Sequence, residues 1–171
     1  MPRYVALLRG VSPMNAKMPE LKAAFESAGF TNVRTLLSSG NVAFDAPSST
    51  ESALERKAER AMQEVLGRSF YTIVRRSSHL NELLAGDPYA GFGVPPEAKR
   101  VVSFLRDEPQ PKSQLPVSMS AAQIVCVVDR EVFSAYLPNA DGPVFMRLIE
   151  KTFGTNITTR TWDTVRKCAA A

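Results

Sequence analysis

Histidine and cysteine are scarce in this chain of 171 residues, which contains one histidine and two cysteines. Zinc sites usually take three or four ligands of these types, and one imidazole with two distant thiols does not supply them. The same scarcity leaves a nucleophilic serine without an evident base, because His79 is far along the chain from Ser39. The sequence therefore predicts no metal site and no cofactor, and it indicates no catalytic residues.

Long apolar runs are also missing, and a membrane-spanning helix needs about 20 apolar residues. The apolar run between Arg3 and Arg9 has five residues, which is also too short for the apolar part of a secretory signal. Cys126 and Cys168 occur without an export signal, and this combination is typical of a reducing compartment. We therefore expect a cytoplasmic protein that does not associate with membranes.

Charge of one sign is nowhere concentrated. The chain has 21 Lys+Arg against 17 Asp+Glu, a formal net charge of +4, and its densest cationic cluster is only Arg75-Arg76. A nucleic-acid binder usually gathers its basic residues on one face, so this dispersion argues against nucleic acid as a partner. A small anionic ligand stays open, and no feature of the sequence assigns an oligomeric state.

The first half of the chain alternates apolar runs typical of strands with helical periodicity. Pro19 and Gly29 bracket a first helix, and Ser48 with Glu51 forms a capping box that predicts the start of a second. Strands are predicted at 3–9, 32–38, 41–45 and 70–76. The resulting order of strand, helix, strand, strand, helix, strand is the split βαβ unit of ferredoxin-like folds.

The second half repeats this order with a weaker first helix. A helix at 78–85 and a Gly- and Pro-rich stretch at 86–96 separate the halves. Further strands are predicted at 100–106, 123–129, 132–138 and 156–160, with at most one helical turn at 112–115, a helix from Pro143 to Gly154 and a short C-terminal helix. We predict an α+β protein of two tandem ferredoxin-like (α/β-plait) units with four-stranded antiparallel sheets: domain 1–85, linker 86–98 and domain 99–171.

One candidate ligand-binding stretch is Ser39-Gly40-Asn41, in the sequence "TLLSSGNVAFD". Glycine and asparagine tolerate the positive φ of tight turns, so the stretch is predicted to connect the two strands of a hairpin. No Gly-x-Ser-x-Gly motif accompanies Ser39. Ser39 and Asn41 remain candidates for contacts with a ligand through their polar side chains.

A second candidate is "RGVSPMNAK" at 9–17, which links the first strand to the first helix. Free N–H groups and the dipole at a helix N-terminus attract anions, and Arg9, Asn15 and Lys17 add donors. The alternative is an irregular connection whose polar residues are merely solvated. The loop lacks the Gly-Lys-Ser/Thr signature of a nucleotide-binding P-loop.

The third candidate is "TTRTWDTVRK" at 158–167, which contains the only tryptophan, Trp162. Arg160 and Lys167 lie close to it in sequence and carry positive charge. The simpler alternative is a tryptophan that packs into the core beside a capped helix. A plait that binds RNA would instead need exposed aromatic residues on its first and third strands, where Tyr4 and Phe44 are the only candidates.

The segments "YVALLRGV", "MPELKAAFESAGFTNVRTLLSSGNVAFD" and "TTRTWDTVRK" resemble the family known as domain of unknown function 1697. The family consists of small, mostly bacterial proteins of two α/β-plait domains, and it has no assigned reaction. The resemblance therefore implies two such domains and assigns no reaction. Ser38 and Thr161 depart from the family pattern, and "SPM" at 12–14 stands where the family has glycines. The matching residues are Arg9, Gly10, Asn15, Lys17, Ser39, Gly40, Asn41, Arg160, Trp162, Thr164 and Lys167.

Three functional hypotheses follow from these residues. The first is a non-enzymatic protein that binds a small anionic ligand or a protein partner. The second is an enzyme that acts on a phosphorylated or carboxylated small molecule through Arg, Lys and backbone amides, and the third is a plait-type nucleic-acid binder. The candidate ligand-binding residues are Arg9, Asn15, Lys17, Ser39, Asn41, Arg160, Trp162 and Lys167.

Overall fold

A computed structural model gives the fold of the chain and describes residues 1–110, 114–119, 121–138 and 144–171. The protein is α+β, with two antiparallel sheets. No helix in the described ranges is long and apolar enough to cross a membrane. The elements in chain order are β1 (Arg3–Leu8), α1 (Met18–Ser27), β2 (Thr31–Leu36), β3 (Asn41–Asp45), α2 (Glu51–Leu66), β4 (Thr72–Arg76), α3 (Ser77–Gly86), β5 (Lys99–Leu105), β6 (Val117–Met119), β7 (Ala122–Val128), β8 (Glu131–Tyr136), α4 (Val144–Phe153), β9 (Ile157–Thr161) and α5 (Trp162–Ala170).

The chain divides into two compact units. The first contains Met1–Glu82 together with Arg166–Ala171, and the second contains Leu83–Val165. The residues at the C-terminus therefore group with the N-terminal part of the chain.

The sheet of the first unit has four strands in the order β2-β3-β1-β4, and all of its neighbouring strands are antiparallel. On one face, Tyr4, Ala6 and Leu8 of β1 belong to a core that includes buried residues of α1 and α2. On the other face, Val5 and Leu7 are also buried. The run at 3–9 thus forms the buried strand that its composition predicts, because a strand covered on both faces needs apolar residues at successive positions.

Helix α1 begins and ends where the sequence predicts. Pro19 lies in its first turn, where the missing N–H costs no intrahelical bond. Leu21 and Phe25 face the core. The helix ends before Gly29, whose φ of +89° lies in the left-handed region that favours glycine.

Helix α2 starts differently from the prediction, because the capping box of Ser48 and Glu51 does not form. The N-cap is Thr50, whose Oγ1 accepts a hydrogen bond of 3.1 Å from the backbone N–H of Ala53. Ser48 Oγ instead accepts from Arg76 Nη2 at 2.9 Å. Either of two hydroxyl residues near a helix start can serve as the N-cap. In this protein Thr50 is the N-cap, and Ser48 contacts Arg76 of the neighbouring strand.

The second unit differs from the predicted four-stranded sheet. Its sheet has five strands in the order β6-β7-β8-β5-β9, all antiparallel, and the short strand β6 is the addition. Helix α4 packs against β6, β7 and β8. Pro143 and part of the predicted helical turn at 112–115 lie outside the described residues. The core of this unit contains Leu105, Ala122, Ile124, Val132, Leu148, Ile149 and Ile157.

Candidate functional site

The hairpin between β2 and β3 forms as predicted, although its connection is 37–40 rather than 39–41. Asn41 already belongs to β3 and is fully buried. Its Nδ2 donates hydrogen bonds of 3.0 Å to the carbonyl oxygen of Leu36 and to Ser39 Oγ. Both predicted side chains are thereby engaged in closing the turn, and a contact of either one with a ligand remains a prediction.

Gly40 brings this turn against the loop that follows β1. Its φ is +85°, and a Cβ at this position would lie 2.9 Å from Val11 Cβ and 3.0 Å from Leu8 Cβ. The N–H of Leu8 donates to the carbonyl oxygen of Gly40 at 2.9 Å. Two stretches that are separate in sequence, the hairpin turn and the loop 9–17, are therefore in contact.

Backbone bonds hold the beginning of the loop. The N–H of Arg9 donates to the carbonyl oxygen of Tyr71 at 2.9 Å, next to the Leu8–Gly40 bond. Tyr71 lies just before the strand β4, and its participation has no signal in the sequence because its carbonyl, not its side chain, makes the contact. Arg9 itself is half-buried. Its backbone hydrogen bond to Tyr71 fixes the position at which its side chain leaves the sheet.

Asn15 fastens the middle of the same loop. Its Nδ2 donates to the carbonyl oxygen of Gly10 at 2.8 Å, and its Oδ1 accepts from the backbone N–H of Ser12 at 2.9 Å. The carboxamide thus bonds both a donor and an acceptor of the loop, which is a common role for asparagine in turns. This local role does not depend on a ligand.

The loop ends at the first turn of α1. Lys17 is the N-cap residue, and its side chain makes no capping hydrogen bond to the helix. It is exposed to solvent. Glu20 places a negative charge in the same turn, where it interacts favourably with the helix dipole and competes with an incoming anion.

The C-terminal candidates include a packed tryptophan that is the first residue of a capped helix. Trp162 is half-buried and makes edge contacts with Tyr89 and Phe133, with ring centroids 5.5 and 5.8 Å away. Thr161 Oγ1 accepts from the backbone N–H of Thr164 at 3.2 Å, which caps α5. Burial raises the pKa of the Tyr89 hydroxyl above its ordinary value, and this hydroxyl donates to the carbonyl oxygen of Val101 at 2.6 Å.

Arg160 and Lys167 belong to different compact units. Arg160 is buried in the second unit, where its Nη1 donates to Thr158 Oγ1 at 2.7 Å and to the carbonyl oxygen of Thr159 at 2.9 Å. Lys167 is exposed and groups with the first unit. Their predicted contacts with a ligand remain predictions.

The two rings that an RNA-binding plait would need are not available for stacking. Tyr4 and Phe44 are both fully buried, and their rings stack on each other with centroids 5.7 Å apart. Base stacking requires an exposed aromatic face. These rings therefore contribute to the core of the first unit and not to a binding surface.

No curated protein matches the chain. The chain is similar to a solved structure, that of the conserved bacterial protein SP0830 from Streptococcus pneumoniae. The TM-score is 0.74 and the sequence identity 16%, over 99% of this chain and 97% of that chain. At this identity the similarity concerns the fold alone.

A family model described as "Protein of unknown function (DUF1697)" matches residues 1–133. The matched range contains the β1–α1 loop and the hairpin, while the C-terminal signature at 158–167 lies outside it. The match covers more than half of the 171 residues. The chain therefore belongs to the uncharacterised DUF1697 family.

Proposed function

We propose that this protein is a non-enzymatic binding protein whose first unit binds a small anion, where the loop 9–17 meets the turn at Gly40. The observation that carries the proposal is a loop held in place before any ligand arrives. Backbone bonds hold Leu8 and Arg9, and Asn15 fastens the residues that follow. A preorganised loop binds with a smaller entropy cost than a flexible one.

Two cationic side chains flank this loop. Arg9 follows the last residue of β1, and Lys17 occupies the N-cap position of α1 without a side-chain hydrogen bond to the first turn. Charge-assisted hydrogen bonds to an anion contribute roughly 1.5–3 kcal/mol each. Since Glu20 opposes the anion and Pro19 lacks an N–H, we expect a modest affinity.

Asn15, Ser39 and Asn41 have a positioning role in this proposal. The hydrogen bonds described above join residues of the loop and of the turn, and in this proposal they hold the backbone that carries Arg9 and Lys17. Arg160, Trp162 and Lys167 are kept as candidates for the same class of ligand.

The test is a titration of the protein with inorganic phosphate, nucleotides and dicarboxylates, followed by ¹⁵N-¹H NMR. We expect saturable shifts of backbone amides in the loop 9–17, weakening of binding by about tenfold or more in Arg9→Ala, and further weakening with added salt. Lys22→Ala is the matched control, because Lys22 is an exposed cation of α1 beyond its first turn. Tight binding that Arg9→Ala leaves unchanged would place the site elsewhere.

The enzyme alternative is tested with the same ligands. We expect no turnover when phosphorylated or carboxylated compounds are incubated with the protein and analysed by ³¹P or ¹H NMR. A product whose formation depends on Arg9 would favour the enzyme hypothesis over a binding protein.

We further propose that the two units are ferredoxin-like plaits and that the protein works in the cytoplasm. The strand order β2-β3-β1-β4 of the first sheet supports the plait for that unit, and the thiol form of Cys126 and Cys168 is compatible with a reducing compartment. The domain division at 86–98 also stays a prediction, and limited proteolysis within this segment tests it.

A further inference from the structure

A surface cavity of about 190 Å³ lies at one end of the sheet in the second unit. Ser118, Gln123 and Ala135 line it and are opposite one another in neighbouring strands, so their side chains share one face of the sheet. Pro95 and Ala98 also line it, and their turn is closed by a 3.0 Å hydrogen bond from the N–H of Ala98 to the carbonyl of Pro95. The cavity therefore lies between a turn and the strand ends of β7 and β8.

Small side chains make up much of the lining of the cavity. Ala98, Ala121 and Ala135 are among its lining residues. Arg100 is directly opposite Ala135 in the sheet, but its guanidinium lies over the ring of Tyr89, 5.6 Å from the centroid. Among the described residues that line the cavity, none carries a formal charge.

The polar groups of the lining are neutral. Gln123 offers a carboxamide, which both donates and accepts hydrogen bonds, and Ser118 offers a hydroxyl. The rest of the lining is mainly apolar. An ion would lose its hydration there without gaining an opposite charge, and this loss is costly.

We propose that this cavity binds a small uncharged molecule with one ring or short aliphatic body and an amide or hydroxyl group. The volume is below the roughly 300 Å³ at which ordinary small-molecule pockets begin. A single ring fits this volume, whereas a nucleotide or a helix does not. The site is separate from the proposed anion site and does not depend on it.

The experiment uses benzamide as the probe, with benzoate and benzylamine as charged molecules of similar shape. In ¹⁵N-¹H NMR titrations of the whole protein, we expect saturable shifts with benzamide at the amides of Ala98, Gln123 and Leu137. Benzoate and benzylamine should bind at least about tenfold more weakly, a difference of about 1.4 kcal/mol. Ala135→Leu, which fills the cavity, should abolish the shifts, while Ala23→Leu on the exposed side of α1 should preserve them.

Gln123→Leu is a second variant that keeps the size of the cavity and removes the carboxamide. We expect benzamide to bind at least about tenfold more weakly to it, which keeps the test decisive if Ala135→Leu does not fold. The proposal is overturned if benzamide causes no saturable shifts, if the three probes bind equally, or if neither cavity variant changes binding. Failure of the phosphate titration leaves this result unaffected, because the two tests read different amides.

Discussion

Gly40 has two separate reasons to be glycine. Its φ of +85° is a conformation that other residues adopt only with strain, and its Cα is packed so closely against Val11 and Leu8 that a Cβ would collide with both. The sequence predicts the first reason from the turn composition. The second reason is visible only in the folded structure, where the hydrogen bond between Leu8 and Gly40 holds Gly40 against Val11.

Replacing Gly40 by alanine should therefore cost more than backbone strain alone. We expect Gly40→Ala to lower the free energy of unfolding by about 2–5 kcal/mol, because overpacking of about 1–3 kcal/mol adds to a strain of about 1–2 kcal/mol. Urea denaturation measures this difference.

The matched control is Gly67→Ala at the end of α2. Gly67 has a φ of +73°, and a Cβ there would meet nothing within 4 Å, so only the strain of about 1–2 kcal/mol is expected. Equal losses in the two variants would show that the contact with Val11 and Leu8 contributes nothing.

Helix α2 and strand β4 show how one element protects another. β4 is an outer strand of its sheet, and outer strands present unpaired N–H groups that can recruit other chains. Glu55 Oε2 accepts from the N–H of Val74 at 2.9 Å, and Glu59 Oε2 accepts from the N–H of Thr72 at 3.2 Å. Because glutamates four residues apart lie on the same side of a helix, α2 covers alternate amides of this edge.

Loss of the Glu55 carboxylate should weaken the protection of the β4 edge by α2. We expect Glu55→Ala to lower the free energy of unfolding by about 1–3 kcal/mol, since it removes the carboxylate acceptor from the N–H of a buried residue. Hydrogen exchange should also accelerate at the amide of Val74. Denaturation and exchange NMR measure the two effects.

Two comparisons separate this role from a general effect of charge. Glu55→Gln keeps a side-chain oxygen and should retain most of the protection at Val74, whereas Glu64→Ala removes an exposed carboxylate of α2 and should change little. An unchanged exchange rate at Val74 in Glu55→Ala would refute the edge-covering role.

Over the whole molecule, Arg3 connects residues that are far apart in the chain. Its Nε donates to the carbonyl oxygen of Ala171 at 2.8 Å, and its Nη1 forms an ion pair of 2.8 Å with Asp45 Oδ1. Asn32 Nδ2 donates to Asp45 Oδ2 at 2.6 Å. The hydrogen bond from Asn32 and then that from Arg3 lower the pKa of the Asp45 carboxyl below its ordinary value.

This lowered pKa predicts a pH-dependent contribution to stability. A carboxyl whose pKa is depressed by folding stabilises the protein above its unfolded pKa, and the contribution is lost as the pH falls through the folded pKa. We expect Asn32→Gly to be less stable than the parent at neutral pH and the difference to shrink in acid, below the ordinary carboxyl range of about 4. Thermal denaturation at several pH values measures the difference.

Glycine is the appropriate replacement because Asn32 has a φ of +48°, which alanine would adopt only with strain. The pKa of Asp45, measured by NMR, should move towards its ordinary value in the same variant. A stability difference that stays constant from neutral to acid pH would contradict the assigned role of the Asn32 hydrogen bond.

Local periodicity was sufficient to predict most of the first unit. The buried run of β1, the apolar face of α1 and the glycine after it are patterns within a few residues of one another, and the structure has them at nearly the predicted bounds. The candidate loop 9–17 and the hairpin turn were also recognisable, because glycine, asparagine and basic residues at element ends are local signals.

Other features depended on partners distant in sequence. The three residues of β6 are too few for a periodic signal, and they form a strand because β7 lies beside them. Glu55 interrupts the apolar face of α2, yet it is buried because β4 supplies an N–H. Hydrophobic periodicity depends on residues that are close in sequence. The partner of a buried polar group and the width of a cavity depend instead on which strands pair. For that reason the contact of Gly40 with Val11 and the cavity beside Gln123 became visible only in the folded chain.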